Sequence, residues 1–227
     1  MKFITIEGLD GSGKSTQVKL IRNYFEKNNI KYQYLHFPIL DSPFFGEMIS
    51  KFLRGDLGDN NQVDPYLVAM LYAGDRNNMA TQIRTWLSEG TVVLVDRYVM
   101  SNIAYQCAKL NTKEEQETLK NWILDFEYNY YKIPKPDLNI YLDVPFSFTQ
   151  EQLQAERSGD DRDYLEGKQD IHEADLTFQQ KVKNMYDQQT TNPNEINKVL
   201  CTDSNGKMLA KELIFDKLIT LINNELK

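Results

Sequence analysis

A chain of 227 residues, 41% of them hydrophobic, carries enough apolar side chain to bury a sizeable core and has the length of one ordinary domain. Its 26 Lys and Arg stand against 33 Asp and Glu, and the net charge of −7 argues against a nucleic-acid backbone as partner, which needs clustered basic surface. No run approaches the ~18 apolar residues of a membrane helix, and Glu7 comes too early for a signal peptide. Cys107 and Cys201 show neither metal-ligand nor disulfide spacing. These features predict a cytoplasmic protein with no membrane and no nucleic acid among its partners.

Strand and helix patterns alternate along the chain. Phe3 to Glu7 predicts a strand, and a helix follows from Lys14 with Val18, Ile21 and Phe25 on one face. Tyr32 to His36 predicts a second strand, and Phe45 to Leu53 a short helix ended by Gly55. Asp64-Pro65, a cap followed by proline, starts a long helix to about Glu89, with Leu67, Leu71, Met79, Ile83 and Trp86 as core candidates. Thr91 to Val95 is continuously apolar, as in a strand buried on both faces. Helical segments follow at Ser101 to Ala108 and Lys113 to Tyr131. Leu138 to Val144 and Val199 to Thr202 predict the fourth and fifth strands, and a last helix starts at Met208. The alternation predicts an α/β fold, a five-stranded parallel sheet covered by helices, in a single domain over 1–227. Ala155 to Asp175 departs from this pattern, with eight acids and three bases. By composition it is a solvated loop; beside a phosphate-handling site it becomes a lid over approximately 155–175.

The first turn carries the strongest chemical signal. Gly8-Leu9-Asp10-Gly11-Ser12-Gly13-Lys14-Ser15 matches G-x-x-x-x-G-K-[ST], with a predicted strand before it and a helix after it. Glycines let backbone N–H groups turn inward around phosphate oxygens, and the helix N-terminus adds partial positive charge. Lys14 can reach the β- and γ-phosphates, Ser15 suits Mg²⁺, and Thr16 completes the expected ATP-binding set. A chance match in this length is roughly a one-in-a-hundred event. The guanine-specificity motif N-K-x-D is absent, which leaves a small P-loop kinase.

Further segments occur in the order found in the thymidylate kinase family: His36-Phe37-Pro38, Leu71-Tyr72-Ala73-Gly74-Asp75-Arg76, Asp96-Arg97-Tyr98, Ser101-Asn102-Ile103-Ala104-Tyr105, Lys135-Pro136-Asp137 and Asp170-Ile171-His172-Glu173. Together with the phosphate loop they make the chain resemble that family over almost its whole length. The resemblance implies a nucleotide-kinase sheet of order 2-3-1-4-5, a homodimer, and transfer from ATP, with Mg²⁺, to dTMP. Asp96-Arg97-Tyr98 closes the third predicted strand, at the sheet edge where open α/β folds bind ligands. There Asp96 suits the Mg²⁺ shell and the planar fork of Arg97 suits a phosphate; the resemblance makes that phosphate the acceptor's. Tyr72 and Arg76, four apart on a helix, share a face. The resemblance gives them thymine, with Asn102 as a second contact and Phe37 and Glu173 in the same acceptor site, although Phe is commoner than Tyr at position 72. It also gives Tyr105 the sugar 2′ position and Asp10 the sugar 3′-hydroxyl.

Two departures stand out. Some relatives have arginine where Gly11 stands, so the lid should supply it, through Arg157 or Arg162. Relatives often read Phe-Pro-Arg where this chain has Phe37-Pro38-Ile39, which shifts the acceptor phosphate onto Arg97, with Lys51 or Arg54 as reserves. The resemblance implies that Asp203-Ser204-Asn205-Gly206 lies near adenine, and His36, Trp86, Trp122, Cys107 and Cys201 are expected in packing roles. The rivals are a deoxynucleoside kinase and a nucleotide-binding sensor without turnover.

Overall fold

The computed structural model describes residues 2–155, 160–191 and 195–227, and for 160–162 the backbone alone. Five parallel strands, β1 (Phe3–Glu7), β2 (Tyr32–His36), β3 (Val92–Asp96), β4 (Leu138–Asp143) and β5 (Asn197–Leu200), form one sheet in the order β2-β3-β1-β4-β5. This is the order the resemblance implied. Alternate side chains enter opposite faces, as a period of two requires. Phe3, Val93 and Val95 face a core built with α3 (Pro65–Ser88), α4 (Val99–Cys107), α5 (Lys113–Asp125) and α7 (Leu176–Gln189). Ile4, Ile6, Leu94 and Ile140 face the other core, under α1 (Lys14–Lys27) and α8 (Lys211–Leu226). β1 and β3 are buried throughout, which is why Thr91 to Val95 reads as a continuous apolar run.

A smaller apolar cluster joins α2 (Phe45–Leu53) to α3 through Ile49, Phe52, Leu53 and Val68. The two helices approach so closely that a Cβ on Gly74 would lie 2.3 Å from the Phe45 ring. α3 starts as expected: Asp64 Oδ1 accepts from the N–H groups of Tyr66 and Leu67, ahead of Pro65. Of its predicted core residues Ile83 is fully buried, and Leu71, Met79 and Trp86 pack against the apolar clusters, but Leu67 is 54% exposed. Val68, Ala69, Ala73 and Ala80 fill the rest of the interior, because small residues let α3 lie close to its neighbours.

Other boundaries moved for local reasons. The predicted helix to Tyr131 ends at Asp125 and continues as one π-helical stretch, Phe126–Tyr130. β5 runs Asn197–Leu200 and α8 begins only at Lys211, because Thr202 and Met208 pair as an antiparallel bridge around a turn at Asp203. α6 (Phe146–Gln154) and α7 were not anticipated; both are rich in glutamine and weakly patterned. Among the described residues no helix is long and apolar enough to cross a membrane.

Candidate active site

The C-terminal ends of β1 and β3 open onto a cleft of about 1280 Å³. The turn from β1 into α1 is the phosphate loop. Gly13 adopts φ +82 with open space around it, so glycine serves the left-handed backbone there and not a crowded contact. Lys14 lies back along the loop, and its ammonium donates to Leu9 O at 2.7 Å and Gly8 O at 3.2 Å. Burial and the neighbouring Arg97 charge lower its pKa to about 8. Ser15 and Thr16 are exposed on the cleft wall with Gly11, while Leu9 is buried and offers only its backbone.

Arg97 leaves β3 with φ +65, a conformation few arginines adopt, costing of order 1–3 kcal/mol. Three contacts hold it. Arg97 N donates to Ile6 O, Phe37 N to Asp96 O, and Tyr98 N to Glu7 Oε1. Glu7, fully buried at the end of β1, also accepts from the hydroxyls of Ser101 and Tyr186. The strained turn directs the guanidinium at the phosphate loop. Arg97 Nη2 donates to Asp10 Oδ1 at 2.5 Å and to Tyr105 OH at 3.3 Å, and Asp10 Oδ2 accepts from Tyr105 OH at 2.7 Å and Gln179 Nε2 at 3.0 Å. Burial disfavours ionised Asp10, but the Arg97 and Lys14 charges overcome it and hold the carboxyl well below the usual range. Asp96 Oδ2 lies 3.4 Å from His36 Nδ1, and Asp96 Oδ1 is buried with no partner among the described residues. His36 is half-exposed on the cleft wall, a correction to its expected packing role: β2 is the edge strand, and His36 closes it at the open rim.

On the wall where the acceptor is expected, α3 presents Tyr72 and Arg76, and α4 presents Asn102 and Tyr105, all lining the cleft. Arg76 is 2% exposed. Its Nε and Nη2 each donate at 2.6 Å to the carboxylate of Glu127, which sits in the π-helical stretch. Burial works against the Arg76 charge, and Glu127 outweighs it, raising the pKa. Asn102 Nδ2 donates to Ala69 O at 3.1 Å and Glu127 Oε1 at 3.0 Å. Phe37 reaches the cleft wall but is otherwise buried beside Tyr98. Glu173 also lines the cleft, its N–H donating to Asp170 Oδ1.

The segment after β2 hangs from α3: Ile39 N and Ser42 Oγ donate to the two oxygens of Asp75. Of the reserve cations, Arg54 is committed to Asp56, Glu166 and Tyr164 O, whereas Lys51 makes, among the described residues, only a surface pair with Glu47. The expected lid docks on α2, with Ile171 N donating to Leu53 O. Arg157 lies outside the described residues; Arg162 falls in the short 3₁₀ helix Asp160–Leu165, where only backbone is described. His172 is packed among Phe52, Tyr105 and Phe178 and burial lowers its pKa to about 3, so it stays uncharged. A second cavity, about 310 Å³, flanks the phosphate loop on its other side. Cys201, Met208, Leu209 and Gln17 line it, and Asp203-Ser204-Asn205-Gly206 do not.

Sequence reasoning missed Glu7, Asp75, Glu127 and Gln179. Two of them had a signal. Glu7 ends an otherwise apolar strand, and Glu127 sits alone among the aromatics Phe126, Tyr128, Tyr130 and Tyr131.

A family model described as Thymidylate kinase matches residues 6–211. A thymidylate kinase of Plasmodium falciparum is 34% identical over 149 residues, covering 66% of this chain and 64% of the relative, so the match spans just under two thirds of that protein. A thymidylate kinase of Caldanaerobacter subterraneus is 32% identical over 186 residues, covering 82% of this chain and 79% of the relative. The solved structure of thymidylate kinase from Candida albicans superposes with a TM-score of 0.70 at 26% identity, covering 100% of this chain and 93% of that one.

Proposed function

The chain belongs to the thymidylate kinase family, and from that premise we propose that it transfers the γ-phosphoryl group of ATP to dTMP, giving ADP and dTDP. The observation that carries this reading is the Asp10–Arg97 pair, which ties the phosphate loop to the acceptor wall of a single cleft. In this reading Lys14 and the loop amides hold the β- and γ-phosphates, and Arg97 holds the acceptor phosphate. The ring of Tyr72, with Arg76 and Asn102, takes the base, and Tyr105 and Asp10 bracket the sugar. The attacking phosphate oxygen is already ionised at neutral pH, so the site needs positioning and charge neutralisation and no general base. Arg157 or Arg162 adds the last positive charge from the lid over approximately 155–175.

The donor set fits Mg²⁺. Asp96 Oδ1, buried without a partner among the described residues, and the exposed Ser15 hydroxyl are hard oxygen ligands. Mg²⁺ held there neutralises phosphate charge. The flanking cavity, with Met208, Leu209 and Cys201, has the apolar walls a purine needs. A cytoplasmic homodimer of single-domain subunits over 1–227 completes the proposal, supported by the resemblance and by two free buried cysteines. A coupled ADP assay tests it across acceptors: dTMP exceeds uridine monophosphate and thymidine by at least about a hundredfold in kcat/KM. Preference for thymidine would favour the nucleoside-kinase rival.

Two further results are expected. Because Lys14 loses its proton near pH 8 in the free enzyme, kcat/KM for ATP falls about tenfold per pH unit above that point. The kcat profile holds to higher pH, because bound phosphate restores the ammonium. A pH profile of kcat/KM flat to pH 9.5 (about 1.5 units above that point) would contradict it. Second, Ile39→Arg lowers KM for dTMP about tenfold, the value of one charge-assisted hydrogen bond. If that variant is inert and Lys51→Ala raises KM tenfold (about 1.4 kcal/mol), the charge has been relocated to α2.

A further inference from the structure

The base pocket is a small polar network whose members are not all in contact with the cleft. Arg76 binds Glu127 side-on, through Nε and Nη2, so its third nitrogen, Nη1, is left out of the pair and makes no hydrogen bond among the described residues. Asn102 is fixed just as firmly. Its amide faces Ala69 O and Glu127 Oε1, and both are acceptors, so the NH₂ group must point at them. Oδ1 is then forced to the other side, and it is buried with no partner among the described residues. A buried acceptor in that state needs a donor. Glu127 itself is fully buried and is carried inward by the π-helical stretch, a local irregularity common at functional sites.

The geometry points to Glu127 as the positioning residue that sets base selectivity: by holding Arg76 and Asn102 together, it orders the pocket as donor then acceptor, the complement of a 2,4-dioxopyrimidine edge. Thymine and uracil present an acceptor at O4 and a donor at N3–H. Cytosine presents a donor at N4 and an acceptor at N3, and so mismatches both Arg76 and Asn102. A site built to hydrogen-bond one edge rejects the other because its buried groups are left unpaired. Arg76, a donor only, supplies the first half of this order, and the second half depends on which end of its amide Asn102 presents. An asparagine can present either end of its amide, and two acceptors behind it, Ala69 O and the anionic Glu127, remove the choice. Glutamine at 127 leaves Ala69 O as the one fixed acceptor of the two, and its own NH₂ can donate to Asn102 Oδ1, which weakens the hold on the Asn102 NH₂ and lets it turn toward the base.

This inference rests on the reading of Tyr72, Arg76 and Asn102 as the acceptor-base site. The test is kcat/KM for dTMP and dCMP in the wild type, Glu127→Gln and Glu127→Asp, with KM for ATP as the control. The wild type should prefer dTMP by at least about a thousandfold. In Glu127→Gln, dTMP falls and dCMP holds or rises, so the ratio shrinks by at least about tenfold, while KM for ATP stays within about twofold. A merely structural role would lower both substrates together and leave the ratio unmoved. If burying Arg76 without its counter-charge prevents folding, Glu127→Asp carries the test by the same tenfold criterion (about 1.4 kcal/mol), since it keeps the charge but is too short to serve Arg76 and Asn102 at once. Folded variants with an unchanged ratio overturn the role of Glu127 while the acceptor site stands. A wild type that does not prefer dTMP over dCMP overturns the acceptor-site reading and this inference with it.

Discussion

Arg97→Ala lowers kcat/KM for dTMP by at least about a thousandfold and moves KM for ATP by less than about threefold. Three features make this the largest expected acceptor-side effect. The guanidinium already contacts Asp10, Tyr105 and Ser101, so it is oriented before any ligand arrives. The position at 39 holds isoleucine, and Arg54 is committed to two acids and a carbonyl, so no free arginine stands in reserve among the described residues of that wall. The left-handed backbone is equally strained for arginine and alanine, so the loss measures the side chain and not the turn. Arg97→Lys should recover only part, because an ammonium cannot reproduce a planar fork. Steady-state kinetics on both variants check this; an alanine variant keeping more than about a tenth of wild-type kcat/KM, under ~1.4 kcal/mol, would remove Arg97 from the acceptor phosphate.

Lys14→Ala is expected to reduce kcat at least about a thousandfold while leaving the protein folded. The two roles separate cleanly here. Its ammonium binds two loop carbonyls at the cleft wall, which solvent can satisfy when the side chain is removed, so Tm should change by less than about 5 °C. The charge it brings to the transferring phosphoryl group has no such substitute. Turnover close to wild type in a folded variant would sink the phosphate-loop assignment; circular dichroism and ADP release measured on the same preparation decide it.

How far the sequence could be read depended on the kind of signal. β1, β2 and α2 appear within the bounds their patterns predicted, because each is bounded by a sharp change of pattern or a glycine. The phosphate loop was legible because its chemistry is contiguous: glycines, lysine and serine lie within eight residues, and the flanking strand and helix follow. α6 and α7 were not legible, since glutamine interrupts their apolar pattern, and in α7 it reaches the interior at Gln179 and Gln189. The supports of the site were hidden for a different reason. Glu7 and Glu127 act across 91 and 51 residues of chain, on Tyr98 and Arg76, and nothing local to either sequence position announces the partner. The resemblance implied that Arg76 meets the base, but only the fold reveals that a buried carboxylate holds it from behind.

The most direct measurement of the central claim is the fate of the γ-phosphoryl group. ATP, Mg²⁺ and dTMP are mixed with the full chain and the products followed by phosphorus NMR. The account predicts dTDP and ADP appearing in equal amounts, with no inorganic phosphate beyond background and no reaction when thymidine replaces dTMP. Release of inorganic phosphate without dTDP, or formation of dTMP from thymidine, would contradict it.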